Sequence, residues 1–333
     1  MAMRRAVLVA LLAMILAACG GDGGERGNVS HPLDATLRLN QIQVVGTHNS
    51  FHVAPPTGPE LTPARDITQS SLTVQLDRQS VRQIELDVHA GPRRGAGLTV
   101  FHLDGDEATT CSTFVACLGE VRDWSDRHPG HLPLFVLVEP KHEEGATVGT
   151  GTIDAEVRAV FSPQHLLTPD DVQGDAPSLR EAVQQRGWPL LGAARGKVLV
   201  VLNDNVVSRA AYTSGETSLR GRAMFVYAEP PSPLAGFVGV PDARIEGPRI
   251  DALVRAGYMV RTRADDGGVE ARANDLSRAN AAFASGAQLV STDFPVPAPS
   301  GYVVSVPGTP ARCNPVTLSP GIRCDPGEIE RLP

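Results

Sequence analysis

Two histidines, an asparagine and three carboxylates stand at or near the ends of four apolar stretches of this chain. In chain order they are His48, Asn49, Glu85, Asp87, His102 and Glu139. An apolar stretch that ends in polar side chains is typical of a buried strand that delivers them at its carboxyl end. So many polar groups are difficult to explain as core, and we interpret them as one site.

Asn49 and the three carboxylates offer four hard oxygen donors, the ligand type that Ca²⁺ and Mg²⁺ take and that zinc does not favour. Glu85 and Asp87 lie two positions apart on a strand, so their side chains point to the same face. Carboxylates packed together repel one another and become partly protonated unless a cation is present. We therefore expect a divalent cation among Asn49, Glu85, Asp87 and Glu139.

His48 and His102 beside such a cation suit phosphoryl transfer. One histidine takes a proton from the attacking hydroxyl, and the other gives a proton to the leaving oxygen. The cation holds a phosphate oxygen and stabilises the developing charge. The residue types alone thus indicate metal-assisted chemistry on a phosphate, with both histidines moving protons.

The hydrophobic pattern predicts the elements that position these residues. The first strand begins near Ile42 and ends before His48, and seven others are expected at 83–88, 98–102, 133–139, 197–202, 223–227, 258–262 and 288–292. Helices are expected at 71–79, 112–128 with Ser112 as its cap, 153–161, 178–186, 243–256 and 269–285. Eight strands mostly separated by helices indicate the α/β class and a (β/α)8 TIM-type barrel, in which chemistry sits where the strands end. The stretch between the fifth and sixth strands is short and poorly helical, so seven strands is the alternative.

Composition and charge are those of an ordinary globular protein. The chain has 333 residues, is 42% hydrophobic and 20% charged, and has a net charge of −7. Without a long basic run, it lacks the footprint of a nucleic-acid-binding protein. The negative charge does not exclude a phosphate-bearing substrate, because a bound divalent cation can reverse the local field.

The amino terminus has the pattern of a targeting segment. Two arginines precede an apolar run that is too short to span a bilayer comfortably, and the run ends in Leu-Ala-Ala directly before Cys19. This ending resembles a bacterial lipobox, which implies cleavage before Cys19 and lipidation of that cysteine; an ordinary secretory signal is the alternative. We expect an exported, membrane-anchored lipoprotein of a bacterial cell envelope, on its periplasmic or cell-surface face.

Four cysteines remain if Cys19 carries lipid, and an exported protein can form disulfides. They are Cys111, Cys117, Cys313 and Cys324. The local pairs Cys111–Cys117 and Cys313–Cys324 are the simplest of the three connectivities. A zinc site is the weaker alternative, since neither pair has the Cys-x2-Cys spacing or a suitably placed histidine.

The chain divides into four parts on these grounds. A Gly-rich polar stretch follows the signal, and we expect it to be a flexible tether. The predicted parts are a lipoprotein signal peptide at 1–18, the tether at 19–36, a catalytic barrel at 37–298 and a Pro-rich tail with a cysteine pair and no clear element at 299–333.

The motifs also occur in a specific order along the chain. They are Gly46-Thr47-His48-Asn49-Ser50-Phe51-His52, Ile84-Glu85-Leu86-Asp87-Val88, Phe101-His102, Glu139 and Ser291-Thr292-Asp293-Phe294-Pro295. This ordered set resembles the Ca²⁺-dependent phosphatidylinositol-specific phospholipase C family, in its bacterial single-domain form. The resemblance runs from about position 42 to position 295.

The resemblance implies a phosphodiesterase with Ca²⁺ as its cofactor. It implies that His48 and His102 are catalytic, with His48 as base toward the inositol 2-hydroxyl and His102 as acid toward the glycerol oxygen. The calcium ligands that it implies are Asn49, Glu85, Asp87 and Glu139. The implied products are diacylglycerol and a cyclic inositol phosphate that can be hydrolysed further.

Three basic residues are expected to bind substrate. Lys141 follows Glu139 by two positions and projects from the same face, so it can meet a phosphate. Arg261 and Arg263 end the seventh predicted strand on one face, and the bidentate fork of arginine suits inositol or phosphate oxygens. A solvated loop lysine is the alternative for Lys141.

The expected partners follow from the anchor and the resemblance. They are a phospholipid substrate at a membrane surface and the membrane itself, held through the amino-terminal lipid; we expect a monomer and no nucleic acid. His52 and His89 lie close to the motifs without a role, and we interpret them as second-layer or surface side chains. Asp293 is interpreted as a substrate ligand or a strand-end cap.

Two other functions stay open at this point. A glycerophosphodiester phosphodiesterase shares the barrel, two histidines and a Glu-x-Asp pair, but it usually opens with His-Arg-Gly, where this chain has His48-Asn49-Ser50. The non-enzymatic alternative is a lipid-anchored binding protein on a decayed barrel. The complete set of six polar residues argues against decay.

Overall fold

The structure is a computed structural model, and it describes residues 31–56, 62–91, 97–141, 148–203 and 206–330. The predicted signal peptide, Cys19 and most of the predicted tether lie outside these residues. Within them, no helix is both long enough and apolar enough to cross a membrane.

The strands of the described residues form one sheet that curls into a nearly closed barrel. They are β1 (Ile42–Thr47), β2 (Gln83–Ala90), β3 (Leu98–Val100), β4 (Leu134–Pro140), β5 (Val198–Leu202), β6 (Met224–Val226), β7 (Phe237–Gly239), β8 (Met259–Arg263), β9 (Leu289–Thr292) and β10 (Ala311–Cys313). Eight of them lie in the order β6-β5-β4-β2-β1-β9-β8-β7, with parallel pairing. A parallel bridge between Tyr227 and Phe237 brings the two ends together. The predicted (β/α)8 barrel is confirmed.

The helices cover the outside of the barrel. They are α1 (Leu72–Arg78), α2 (Phe114–Arg127), α3 (Thr150–Val160), α4 (Pro169–Gln173), α5 (Leu179–Gln185), α6 (Leu191–Ala194), α7 (Val206–Thr213), α8 (Ala243–Arg255), α9 (Val269–Ala273) and α10 (Ser277–Ala284), with short 3-10 turns at Leu39–Gln41, Pro163–His165 and Pro326–Glu328. The cap of α2 is Thr113, not Ser112, because the Thr113 hydroxyl accepts the Ala116 N–H at 3.2 Å. The single helix predicted at 269–285 is two helices, separated where Asn274 adopts φ 50°, a left-handed conformation that asparagine tolerates.

The predicted third barrel strand lies outside the barrel. β3 pairs antiparallel with β2, with Val100 opposite Val88. Only residues 91–97 separate the two strands. This connection is short enough for a hairpin, whereas a parallel crossover needs about a dozen residues or more. The prediction of a barrel strand here is wrong, and His102 reaches the barrel mouth beyond the second arm of a hairpin.

The eighth barrel strand is one that the sequence pattern did not reveal. β7 has three residues and pairs parallel with β8, with Phe237 opposite Met259. Three residues are too few to show a period, and Gly236 and Pro241 beside them indicate turns. The barrel therefore has the predicted number of eight strands, but β7 takes the place that was predicted for β3.

The carboxyl-terminal segment packs on the barrel although no element was predicted in it. β10 pairs antiparallel with the start of β1, from Ile42–Cys313 to Val44–Ala311. β1 and β2 pair only at Gly46 and Gln83, so β10 occupies the part of the β1 edge that β2 leaves open. The backbone groups of that edge are thereby satisfied.

Both predicted disulfides are present. Cys111 is bonded to Cys117, and Cys313 is bonded to Cys324. The first joins the loop after His102 to α2, and the second closes the segment that follows β10. They therefore act at opposite ends of the barrel.

Candidate active site

The end of β1 is fixed between its two neighbouring strands. The His48 N–H donates to the Thr292 carbonyl of β9 at 3.0 Å, and the Ser50 N–H donates to the Glu85 carbonyl of β2 at 3.0 Å. Asn49 between them has φ 44°, the left-handed conformation that asparagine adopts more readily than most residues. These bonds bring the His-Asn pair beside the first predicted calcium ligand on β2.

Gly46 allows the strands to approach this closely. A Cβ at this position would lie 2.0 Å from the Oε1 atom of Gln83. The Gln83 amide donates to the Thr47 carbonyl at 3.0 Å, and its Oε1 accepts from the Ser291 hydroxyl at 2.5 Å. This polar bridge joins β1, β2 and β9 just before His48.

His48 is held in the tautomer of a base. Its Nδ1 lies 2.9 Å from Oδ1 of Asp293, to which it donates. Its Nε2 lies 3.3 Å from a guanidinium nitrogen of Arg263; since arginine can only donate, Nε2 is the acceptor. Burial, followed by the positive charge of Arg263, holds the pKa of His48 well below its usual range. The imidazole is therefore neutral, with a lone pair on Nε2.

His102 is oriented by a buried carboxylate. Its Nδ1 lies 2.7 Å from Oδ2 of Asp106, whose side chain has no exposed surface. His52 approaches the same carboxylate with Nε2 at 3.1 Å from each oxygen, and its Nδ1 lies 2.7 Å from the Ile67 carbonyl. Burial lowers the pKa of His102, and the hydrogen bond and charge of Asp106 oppose this.

One small cavity brings the two predicted catalytic histidines together. Its lining includes His48, Asn49, His52, His102 and Asp293. His52 is thus buried behind His102, in the second layer and not on the surface, and the rings of the two lie 5.4 Å apart.

His89 is not among the lining residues of this cavity. Its ring stacks on Phe101 at 3.6 Å, and its Nε2 lies 2.9 Å from the Phe101 carbonyl. These contacts lie within the β2–β3 hairpin and stabilise the arm that carries His102.

The three predicted carboxylate ligands meet at the ends of β2 and β4. Asp87 lies opposite Glu139 in the register of these strands, and one oxygen each from Glu85, Asp87 and Glu139 lie within 4.8 Å of one another. Both oxygens of Asp87 are buried, and Oδ1 has no hydrogen-bond partner. Lys141 lies beside them, with Nζ 2.5 Å from Oε1 of Glu139 and 3.1 Å from Oδ2 of Asp87.

Glu85 is paired with groups from two other strands. Arg261 donates to its Oε2 at 2.6 Å, and Asn203, directly after β5, donates to its Oε1 at 3.1 Å. Arg261 is almost fully buried and also donates to the Ser291 hydroxyl at 2.9 Å. Of the two predicted substrate arginines, Arg261 is therefore engaged in the barrel wall, whereas Arg263 lies beside His48.

A sequence model of the Ca²⁺-dependent phosphoinositide phospholipase C family matches residues 37–96 and 93–315. The chain belongs to this family. As a member, the protein is a phosphoric diester hydrolase of the phosphoinositide phospholipase C type, and its cofactor is Ca²⁺. No curated protein matches the chain.

Solved structures of phosphatidylinositol phospholipases C have the same barrel. A calcium-dependent phosphoinositol-specific enzyme from Pseudomonas sp. is 20% identical, with a TM-score of 0.63 over 85% of this chain and 97% of that one. The Ca²⁺-dependent enzyme from Streptomyces antibioticus is 19% identical, with a TM-score of 0.58 over 78% of this chain and 95% of that one. The enzyme from Listeria monocytogenes is 13% identical, with a TM-score of 0.50 over 78% and 91%. At these identities the likeness supports the fold.

The residues of this phospholipase fit the calcium ion that its family uses. Carboxylate and amide oxygens are the donors that Ca²⁺ takes. Asp87 supplies two buried oxygens, of which only Oδ2 has a partner, Lys141. Burial raises the pKa of Asp87 well above its usual range, while Lys141 lowers it. An added divalent charge would favour the ionised carboxylate, which is the form that binds a metal.

Two polar residues of the candidate site were not predicted from the sequence. Asn203 directly follows an apolar strand, the same signal that identified Glu139, and could have been found by it. Asp106 lies in a loop four positions after His102, and a loop has no period from which its contacts follow. Asp293 was noticed, but the sequence did not indicate its bond to His48.

Proposed function

We propose that this phospholipase cleaves phosphatidylinositol-type lipids to diacylglycerol and a cyclic inositol phosphate, with His48 as base and His102 as acid. The observation that carries the proposal is the hydrogen-bonding arrangement that the two rings share. Each Nδ1 faces a buried carboxylate, at 2.9 Å for His48 and 2.7 Å for His102. Each Nε2 is thereby assigned to the substrate, inside one cavity.

In the first half of the reaction, Nε2 of His48 takes the proton of the inositol 2-hydroxyl as its oxygen attacks phosphorus. The substrate hydroxyl takes the place of Arg263 at Nε2. Asp293 accepts the Nδ1–H and stabilises the imidazolium that forms, as the carboxylate does in a Ser-His-Asp triad. Arg263, displaced from Nε2, is placed to donate to a phosphate oxygen.

In the second half, His102 acts from its imidazolium form, whose charge the buried Asp106 carboxylate stabilises. The bond from phosphorus to the glycerol oxygen breaks, and the proton on Nε2 passes to that oxygen. Asp106 holds the Nδ1–H, so the ring faces the leaving group with the correct nitrogen. Asn49, Glu85, Asp87 and Glu139 would hold the calcium ion, which would stabilise the charge that develops at the phosphate. The products leave His48 protonated and His102 neutral, and solvent restores both.

A substrate with a good leaving group tests these roles, because such a group needs no proton from an acid. With phosphatidylinositol, His48→Ala and His102→Ala should each lose about 10²–10⁴-fold in rate. With an aryl phosphodiester of inositol, His102→Ala should recover most of its rate and His48→Ala should not. Equal recovery of both variants with the aryl substrate would contradict the assignment of base and acid. An undiminished rate with phosphatidylinositol in either variant would show that the replaced histidine is not catalytic.

A further inference from the structure

We propose that Lys141 is a tethered cation that occupies the carboxylate cluster when calcium is absent and moves to the substrate phosphate when calcium binds. This inference rests on the calcium site assigned above. It gives one side chain two successive partners, and it makes the affinities for calcium and for the phosphate depend on one another.

The contacts of Lys141 identify it as the cation of this cluster. Its Nζ lies 2.5 Å from Oε1 of Glu139 and 3.1 Å from Oδ2 of Asp87. Glu85 already has Arg261 at 2.6 Å. The charges that Lys141 balances are therefore those of Asp87 and Glu139, and the Asp87 side chain has no exposed surface through which water could balance it.

Calcium and the ammonium group need the same oxygens. Ca²⁺ binds carboxylate oxygens at about 2.3–2.6 Å, and two cations on one carboxylate pair repel each other. The ammonium group must therefore leave for calcium to bind both residues. Calcium affinity is reduced by the free energy of displacing Lys141.

The chain around Lys141 permits this displacement. The backbone is fixed, since the Lys141 N–H donates to the Val88 carbonyl at 2.8 Å. The side chain is not enclosed: it is 28% exposed and Glu139 is 35% exposed. A lysine side chain has a flexible stem of four carbons. Rotation about its bonds can therefore move the ammonium group from the cluster into the barrel mouth without any change of the strand.

The consequence is positive coupling between calcium and an anionic ligand. Calcium releases an ammonium group at the position where the phosphate arrives, and a phosphate that holds the ammonium group keeps it away from calcium. Coupling of this kind is reciprocal. Each ligand should raise the affinity for the other, and removal of Lys141 should reduce this effect.

Calorimetric titration of Ca²⁺ into the wild type and Lys141→Met tests the inference. We expect the variant to bind calcium about tenfold more tightly or better, because the competing charge is gone. In excess chelator the variant should melt below the wild type, because Asp87 is then buried without a cation. Lys197→Met is the matched control: Lys197 lies before β5, at the other end of the barrel, where it donates to the Leu166 carbonyl at 3.2 Å. It should leave calcium affinity unchanged.

Several outcomes would overturn the inference. Equal or weaker calcium binding by Lys141→Met would show that Lys141 does not compete for the cluster; Lys141→Gln provides the same test if the methionine variant does not fold. Calcium should raise the affinity for myo-inositol 1-phosphate more in the wild type than in Lys141→Met. An equal increase in both proteins would show that Lys141 does not move to the phosphate. If the wild type did not bind calcium at all, the proposed calcium site itself would be wrong, and the inference about Lys141 would be overturned with it.

Discussion

At the scale of single residues, the site consists of two histidines with different surroundings. His48 faces Arg263 and Asp293, and His102 faces Asp106. The sequence identified both rings because each follows an apolar stretch. It did not identify the carboxylate behind either ring, because these bonds join residues 245 and 4 positions apart and no local pattern connects them.

Asp106→Asn tests the orientation of His102. An amide nitrogen turned toward Nδ1 would favour the wrong tautomer, so we expect kcat on phosphatidylinositol to fall at least about tenfold with little change in KM. A substrate with a good leaving group should recover the rate, which a general loss of structure would not allow. The exposed Asp104→Asn is the control. A variant as active as wild type would show that Asp106 has no role in proton transfer.

At the scale of elements, the β2–β3 hairpin and the loop after it carry His102, the proposed acid. The apolar stretch before His102 identified β3 as a strand. Its antiparallel direction follows from the short link to β2, which an apolar pattern does not reveal. The Cys111–Cys117 bond ties this loop to α2. The position of His102 therefore depends on an element outside the barrel, which can be disturbed without unfolding the barrel.

Removal of the two disulfides should have different effects. Replacing Cys111 and Cys117 by serine should lower the free energy of unfolding by about 2 kcal/mol and also reduce activity, since the loop carries His102 and Asp106. Replacing Cys313 and Cys324 should lower stability and leave kcat unchanged, because that bond lies at the opposite end. Melting curves and initial rates measured on the same samples test this prediction. A loss of kcat in the Cys313/Cys324 variant but not in the Cys111/Cys117 variant would refute it.

The carboxyl-terminal segment stabilises the barrel through a buried ion pair. Arg82, directly before β2, bonds both carboxylate oxygens of Glu330, at 2.7 and 3.1 Å. Burial opposes the ionisation of Glu330, but the charge and hydrogen bonds of Arg82 outweigh it and hold the pKa below its usual range. A Pro-rich tail without periodicity does not reveal such an anchor in the sequence.

Glu330→Gln should destabilise the protein by about 3–5 kcal/mol, because Arg82 is left as an unpaired buried charge. A lowered carboxyl pKa contributes stability above the unfolded pKa and loses it as the pH falls through the folded value. The difference in unfolding free energy from wild type should thus be complete above about pH 5 and shrink in more acid solution. The exposed Glu216→Gln is the control, and a difference that grows on acidification would contradict the assignment.

At the scale of the whole molecule, the barrel and its active end could be predicted from the sequence, because parallel strands present their carboxyl ends on one face. Apolar runs identified seven of the parallel strands and with them the positions of Asn49, Glu85, Asp87 and Glu139. The three residues of β7 and the pairing of β10 with β1 could not be predicted, because they depend on which edges the other strands leave open.

The most direct test of calcium-dependent phosphatidylinositol cleavage by His48 and His102 is phosphorus NMR of the products formed from phosphatidylinositol vesicles, with Ca²⁺ and with excess chelator. With calcium, we expect the signal of a cyclic inositol phosphate to appear first, and both histidine variants to form it at least about 10²-fold more slowly. With chelator, the signal should be absent. Equal turnover in chelator, or faster hydrolysis of glycerophosphocholine than of phosphatidylinositol, would contradict the proposed function.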